Sequence, residues 1–191
     1  MEVVNLQDKS YCVRTSVFLD NSDTPLFTAH MQSIIVDKNT RRPTAGPDWW
    51  RKLQSHVTTH SEPFQPERLP VSGRPPVSSD YSQRVSASDA DQYAHLSWAH
   101  AVKICYNALV LHFVNQQGGV GGKSAADGGG KSGSGLDGKV KSLTAIYLKE
   151  VPLGAKLGVS IWDREGSPDL FDFQIQRDGK VATEVQIEFS P

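Results

Sequence analysis

The chain has 191 residues, with 20 lysines and arginines against 21 aspartates and glutamates and a formal net charge of -1. That balance leaves no long-range field to gather nucleic acid or anionic lipid, so a nucleic-acid partner is not expected. With 38% hydrophobic residues the length suits one domain, or one domain plus part of another.

Met1-Glu-Val-Val-Asn-Leu6 lacks the basic and apolar regions of a secretory signal. The longest apolar stretch, around Ala99–Val114, is interrupted by Lys103, Asn107 and His112 and is short for a membrane span. The expectation is a cytoplasmic protein with no integral membrane segment. Cys12 and Cys105, in apolar surroundings, read as two buried free thiols of a reducing compartment.

In chain order, the first forty residues predict a β-hairpin. Tyr11, Val13, Thr15, Val17 and Leu19 share one face, the turn lies at Asp20–Pro25, and a return strand covers about Leu26 to Val36. Residues 43–80 hold seven of the eleven prolines, with a short helix around Trp49-Trp50 from Asp48 to about Ser55. Proline withholds backbone donors, so the remainder reads as an extended linker. The expected division is 1–55 as a partial unit, 56–79 as linker and 80–191 as a complete domain.

Past the linker, Tyr81–Ala87 alternates as a strand. A polar turn, Ser88–Tyr93, leads to a helix from roughly Ser97 to Asn115 whose apolar residues cover nearly every face. Such a helix is expected to be buried almost all round, inside a sheet. A glycine-rich insertion follows at 118–137, with nine glycines between 118 and 135 and no hydrophobic cluster. Four strands are then predicted, about Lys139–Lys149, Lys156–Trp162, Leu170–Gln176 and Val181–Phe189. Turns at Gly154, Gly166–Pro168 and Asp178-Gly179 separate them. The last strand sets Val185, Ile187 and Phe189 on one face against Glu184, Gln186 and Glu188 on the other. Strand, apolar helix and four antiparallel strands point to an α+β hotdog fold, an antiparallel sheet wrapped around one central helix.

The residues Ser88-Asp89-Ala-Asp91-Gln-Tyr-Ala94-His95-Leu-Ser97 resemble the turn of hotdog acyl-thioesterases, whose pattern is S-D-x-D followed by G-H-x-N. Tyr147–Leu157 resembles a strand–turn–strand of the same superfamily, and Phe173–Thr183 its last hairpin. Val36–Pro43, after the hairpin, resembles the end of a preceding hotdog repeat, as in tandem acyl-ACP thioesterases. The N-terminal hairpin would then be half of such a repeat.

The resemblance implies hydrolysis of an acyl-CoA or acyl-ACP thioester, with Asp91 as base or nucleophile and His95 and Ser97 beside it. Asp89, Ala94 and Trp98 would contact substrate, and the backbone near Ala94 and His95 would bind the oxyanion. It implies no cofactor and no metal, and a homodimer or a pseudo-dimer of repeats. Elementary chemistry agrees that a helix start offers unpaired N–H groups to a developing negative charge. The same chemistry makes Asp89, Asp91 and Ser97 ordinary capping residues, and His95 an ordinary structural hydrogen-bonder. The sequence departs from the pattern at two places, with Ala94 for the glycine and Ser97 for the asparagine. A non-catalytic hotdog that binds an acyl ligand or a partner chain is the alternative.

Other motifs carry less. Gly121-Gly-Lys-Ser124 and Gly129-Gly-Lys-Ser132 lack the upstream glycine and strand of a phosphate loop, those positions being Gln117 and Ala125. His56 and His60 have helical spacing for a metal but no evident third ligand. Arg41-Arg42 with Lys38 reads as a solvated strand end.

Overall fold

The computed structural model describes residues 1–57, 67–118 and 139–190, which fall into two compact units, Met1–Gln65 and Pro66–Pro191. The glycine-rich insertion, its two Gly-Lys-Ser motifs and His60 lie outside the described residues.

The first unit is a three-stranded antiparallel sheet, β1 (Glu2–Leu6), β2 (Ser10–Phe18) and β3 (Pro25–Ile34), followed by the short helix α1 (Asp48–Gln54). The hairpin is present as β2 and β3. β1 is an additional strand, too short and too mixed in character for alternation to reveal. α1 docks through Trp50, whose ring lies 5.6 Å from that of Tyr11 and whose indole N–H donates to the Gln7 carbonyl at 2.8 Å. Gly46 leaves room for that ring, because a Cβ there would sit 2.4 Å from Trp50 Cγ.

The second unit is a five-stranded antiparallel sheet with one helix packed against it. β4 (Ser78–Arg84) leads through a short turn to α2 (Trp98–Gly118). β5 (Val140–Tyr147), β6 (Lys156–Arg164), β7 (Ser167–Arg177) and β8 (Lys180–Phe189) follow, in sheet order β4-β6-β7-β8-β5. Register explains the core. Ile161 pairs with Phe173 and Phe173 with Val185, so three fully buried side chains form one row across the sheet. Ala101, Ile104, Cys105, Ala108 and Leu109, at helical spacing, lay one face of α2 on those rows. Burying a leucine or isoleucine in this way contributes about 1.5–3 kcal/mol.

The expectation that α2 is buried almost all round is corrected. Trp98, Tyr106 and Val114 are 64%, 39% and 55% exposed, with Val102 and Val110 half-buried between them on the same i, i+4 stripe. Apolar composition marks a surface that excludes water, but it does not say how much of that surface one sheet can cover.

The opposite face of the sheet is occupied as well. Asp172 is fully buried and Glu184 is 1% exposed. Over them runs 67–77, the end of the proline-rich stretch. Arg68 makes two hydrogen bonds to Glu184, and Arg74 meets Asp172 at 3.2 Å. Trp162 donates to the Arg74 carbonyl at 2.9 Å. This part of the predicted linker is therefore a strap on the second unit.

Candidate functional site

The sequence-predicted residues lie in one loop, Ser86–Ser97, between β4 and α2. The loop begins with a turn in which Asp89 accepts from the Ser86 backbone N–H at 2.9 Å and from its hydroxyl. These bonds hold the Asp89 carboxyl below the usual aspartate range. Asp89 is therefore occupied with local architecture, and its carbonyl accepts the Ser97 N–H at 2.9 Å.

Asp91 closes the next turn. Its Oδ1 accepts from the Tyr93 N–H at 2.8 Å and from the His95 N–H at 3.1 Å, while its own N–H donates to the His95 carbonyl at 2.7 Å. Asp91 is exposed, and its second oxygen, Oδ2, accepts no hydrogen bond among the described residues. Ala94 occupies the left-handed region at φ 59°. That conformation explains why the resembled pattern has glycine there, since a Cβ makes it costly. The Ala94 N–H donates to the Asp91 carbonyl at 3.0 Å.

The backbone donors expected at Ala94 and His95 are therefore spent inside the turn. Trp98 and Ala99, which open α2, have N–H groups that meet no acceptor among the described residues, as the first turn of a helix leaves them. The exposed Trp98 side chain stands beside them, and its carbonyl accepts from the Tyr147 hydroxyl at 2.9 Å.

Ser97 caps α2, and its Oγ lies 2.7 Å from His100 Nδ1 and 3.3 Å from the His100 N–H. Sequence reasoning missed His100. Its signal was the three-residue spacing from Ser97, which puts the two on adjoining positions of a helix start. The side chain of His95 turns the other way, with Nε2 3.6 Å from Glu150 Oε2. His95 also pairs with Pro152, and the Leu153 N–H donates to the Ala94 carbonyl at 2.8 Å, which fixes the loop to the turn before β6. The structure thus sets Ser97, Trp98 and His100 at the start of α2 and holds Asp91 and Ala94 in the turn before it. It directs His95 toward β6.

No group of three or more histidine, cysteine, aspartate or glutamate side chains could hold a metal among the described residues. Cys12 and Cys105 are buried and free, and burial pushes the Cys105 thiol up, away from a reactive thiolate. No helix among the described residues is long and apolar enough to cross a membrane.

No family model matches the chain, and no curated protein matches it. Among solved structures, an acyl-ACP thioesterase from Bacteroides thetaiotaomicron VPI-5482 matches with a TM-score of 0.64 at 14% identity, over 98% of this chain and 66% of that one. The fold is hotdog. The hotdog match extends through both units, and this chain spans just under two thirds of that structure's length. A hypothetical thioesterase of Streptococcus pneumoniae, solved with coenzyme A, matches at a TM-score of 0.42 and 15% identity, over 56% of this chain and 75% of that one. A mutant of the phenylacetic acid degradation protein PaaI from Thermus thermophilus matches at 0.41 and 13% identity, over 56% and 79%. The likeness is one of fold, at low sequence identity, and the N-terminal sheet is an addition to the five-stranded hotdog sheet.

Proposed function

We propose that this chain hydrolyses a fatty acyl thioester, of acyl-CoA or acyl-ACP, at the loop before α2. The observation that carries the reading is an uncommitted carboxylate oxygen on the loop that leads directly into unpaired helix-start donors. Asp91 Oδ2 accepts a proton from water as the water oxygen bonds to the thioester carbonyl carbon. The resulting oxyanion is met by the Trp98 and Ala99 N–H groups, assisted by the positive end of α2. The carbon–sulfur bond then breaks, the leaving thiolate takes up the proton held on Asp91, which restores the carboxylate, and the carboxylic acid departs. Ser97 and His100 position the first turn of α2 and hold a polar edge against the reacting group. The exposed stripe of α2 supplies apolar surface for the acyl chain or for the apposed half of a dimer.

The test is hydrolysis against acyl-CoAs of graded chain length and one acyl-ACP. Turnover above the uncatalysed background with any member, saturating in substrate, supports the reading, and its absence across the panel removes it.

A second reading is favoured by the Ala94 and His95 amides, both consumed within the turn where the thioesterase pattern places oxyanion donors. It is a non-catalytic hotdog that binds an acyl ligand. It predicts thermal stabilisation by one acyl-CoA of the panel with no thiol released.

A further inference from the structure

The start of α2 is held from outside the helix, by the segment that ends β5 and runs on to β6. The Leu96 N–H donates to the Val151 carbonyl at 2.7 Å, and the Leu153 N–H donates to the Ala94 carbonyl at 2.8 Å. Further along, the Tyr147 hydroxyl donates to the Trp98 carbonyl at 2.9 Å. The first two bonds run between backbones and fix the loop. The third is made by a side chain, so a substitution removes it and leaves the others in place.

The strand end that carries Tyr147 is fixed in turn. Tyr147 lies opposite Thr183 of β8, a buried residue, and the Leu148 and Lys149 N–H groups both donate to the Ala182 carbonyl, at 2.8 and 3.1 Å. The hydroxyl therefore reaches α2 from a rigid base. A carbonyl oxygen only accepts, which settles the direction of the bond. Burial raises the Tyr147 phenol above the ordinary tyrosine value, so it keeps its proton and remains a donor.

The Trp98 carbonyl and the Ala99 N–H belong to one peptide unit. A trans peptide is planar and its C=O and N–H point opposite ways, so a bond that holds the oxygen also aims the hydrogen. In a helix one lone pair of a carbonyl takes the N–H four residues on, and here the Tyr147 hydroxyl takes the second. Two hydrogen bonds on its carbonyl polarise a peptide and make its N–H a stronger donor. Trp98 and Ala99 are both exposed. A first turn with so little packing frays unless something ties it down.

We propose that Tyr147 is the positioning residue of the oxyanion donor: through the Trp98 carbonyl it aims the Ala99 N–H and strengthens it for the charge that develops on the thioester oxygen. The inference rests on the thioester reading and deepens it by naming what orients the donor.

Tyr147→Phe deletes the hydroxyl and keeps the ring. Deleting an oxyanion donor outright costs about 10²–10³ in kcat, and loosening one costs less. With the best acyl-CoA, kcat is expected to fall about fivefold or more while KM stays within about twofold, because the donor acts where charge has developed and not in the ground-state complex. In the nitrogen-15-labelled full chain, the Ala99 amide proton is expected to move upfield and exchange faster in the variant, with the Leu109 amide in mid-helix unmoved. A kcat equal to wild type overturns the role even if the melting temperature falls, since a mere tether moves stability alone. A raised KM with kcat unchanged overturns it as well, by making the hydroxyl a substrate contact. An Ala99 amide that neither shifts nor exchanges faster overturns it without reference to turnover. The thioester reading fails separately: if wild type hydrolyses no acyl-CoA or acyl-ACP, that reading falls, and the Ala99 amide still decides whether Tyr147 sets the donor.

Discussion

An aspartate that closes its own turn can still serve as a base when only one of its oxygens is engaged. Asp91 is in that position: Oδ1 organises Tyr93 and His95, and Oδ2 is left over. Asparagine retains the oxygen that accepts both N–H groups but loses the basic one. Asp91→Asn is therefore expected to lower kcat by about 10²–10⁴-fold, the usual scale of general-base catalysis, with the melting temperature almost unchanged. Initial rates with the best acyl-CoA, alongside calorimetric melting, measure both, and undiminished turnover would end the role assigned to Asp91. Ala94 offers a test of backbone rather than chemistry. Its φ of 59° burdens a residue with a Cβ by about 1 kcal/mol or more, part of which glycine returns as added freedom in the unfolded chain. Ala94→Gly is expected to stabilise the domain by up to about 1 kcal/mol in denaturant unfolding. A destabilised glycine variant would mean that the methyl group makes a contact outweighing the strain. The placement of Asp89, Asp91, His95 and Ser97 in the turn before α2 was legible in the sequence because turns recruit recognisable residue types. The spending of the Ala94 and His95 amides was not legible, because a backbone N–H has no letter of its own. His100 was hidden for a different reason: a histidine on an apolar helix carries no sign of which neighbour it bonds.

Element by element, periodicity located β2, β3, β4 to β8 and both helices to within a few residues, since each buries a face with its own repeat. It gave no warning of the strap at 67–77, whose prolines and charges look like linker at every position. The strap holds through side chains distant in sequence, Arg68 with Glu184 and Arg74 with Asp172. The same blindness affected β8, where Glu184 sits on the expected face but under the strap instead of in water. The Arg68–Glu184 pair is asymmetric, the arginine side chain 61% exposed and the glutamate 1%. Removing the arginine strands a buried carboxylate, whereas removing the charge of the glutamate frees an arginine that water readily solvates. Arg68→Ala is thus expected to cost about 3 kcal/mol in urea unfolding and Glu184→Gln distinctly less. Equal costs would show that the strap is held by something other than this pair. Burial alone would raise the Glu184 carboxyl, but the Arg68 guanidinium and the Leu69 N–H bring it below its ordinary value. A folded value below the unfolded one adds stability above the unfolded glutamate value, roughly pH 4.3, and that stability is lost as pH falls toward the folded value. The acid limb of wild-type stability should accordingly be steeper than that of Glu184→Gln, as urea midpoints across about pH 3–6 would reveal.

At the scale of the whole molecule, the outward stripe of α2 bears on assembly. Trp98, Val102, Tyr106, Val110 and Val114 recur every four residues, and the three most exposed of them present aromatic and branched surface to solvent. At the sheet margin, β5 leaves Val140 and Leu143 53% and 44% exposed, along a strand paired on one side only among the described residues. Exposed edges and apolar stripes of this kind favour association. A homodimer joined at this stripe is the proposal, against a single-chain species. The two differ in mass, 20.9 kDa for a single chain against twice that for the pair. Light scattering on the eluted protein reads this directly. If two copies associate through the stripe, a charge at its centre faces desolvation in the interface, so Val110→Glu is expected to convert the eluted species to the single-chain mass while the domain stays folded by circular dichroism. Should wild type already elute as one chain at high micromolar concentration, the homodimer is excluded. The melting temperature of Val110→Glu is then measured beside its mass. A variant that alters neither quantity would leave the stripe free of protein cover, as bare surface for an acyl chain, and adding a long-chain acyl-CoA should then protect the wild-type melting temperature more than that of Val110→Glu.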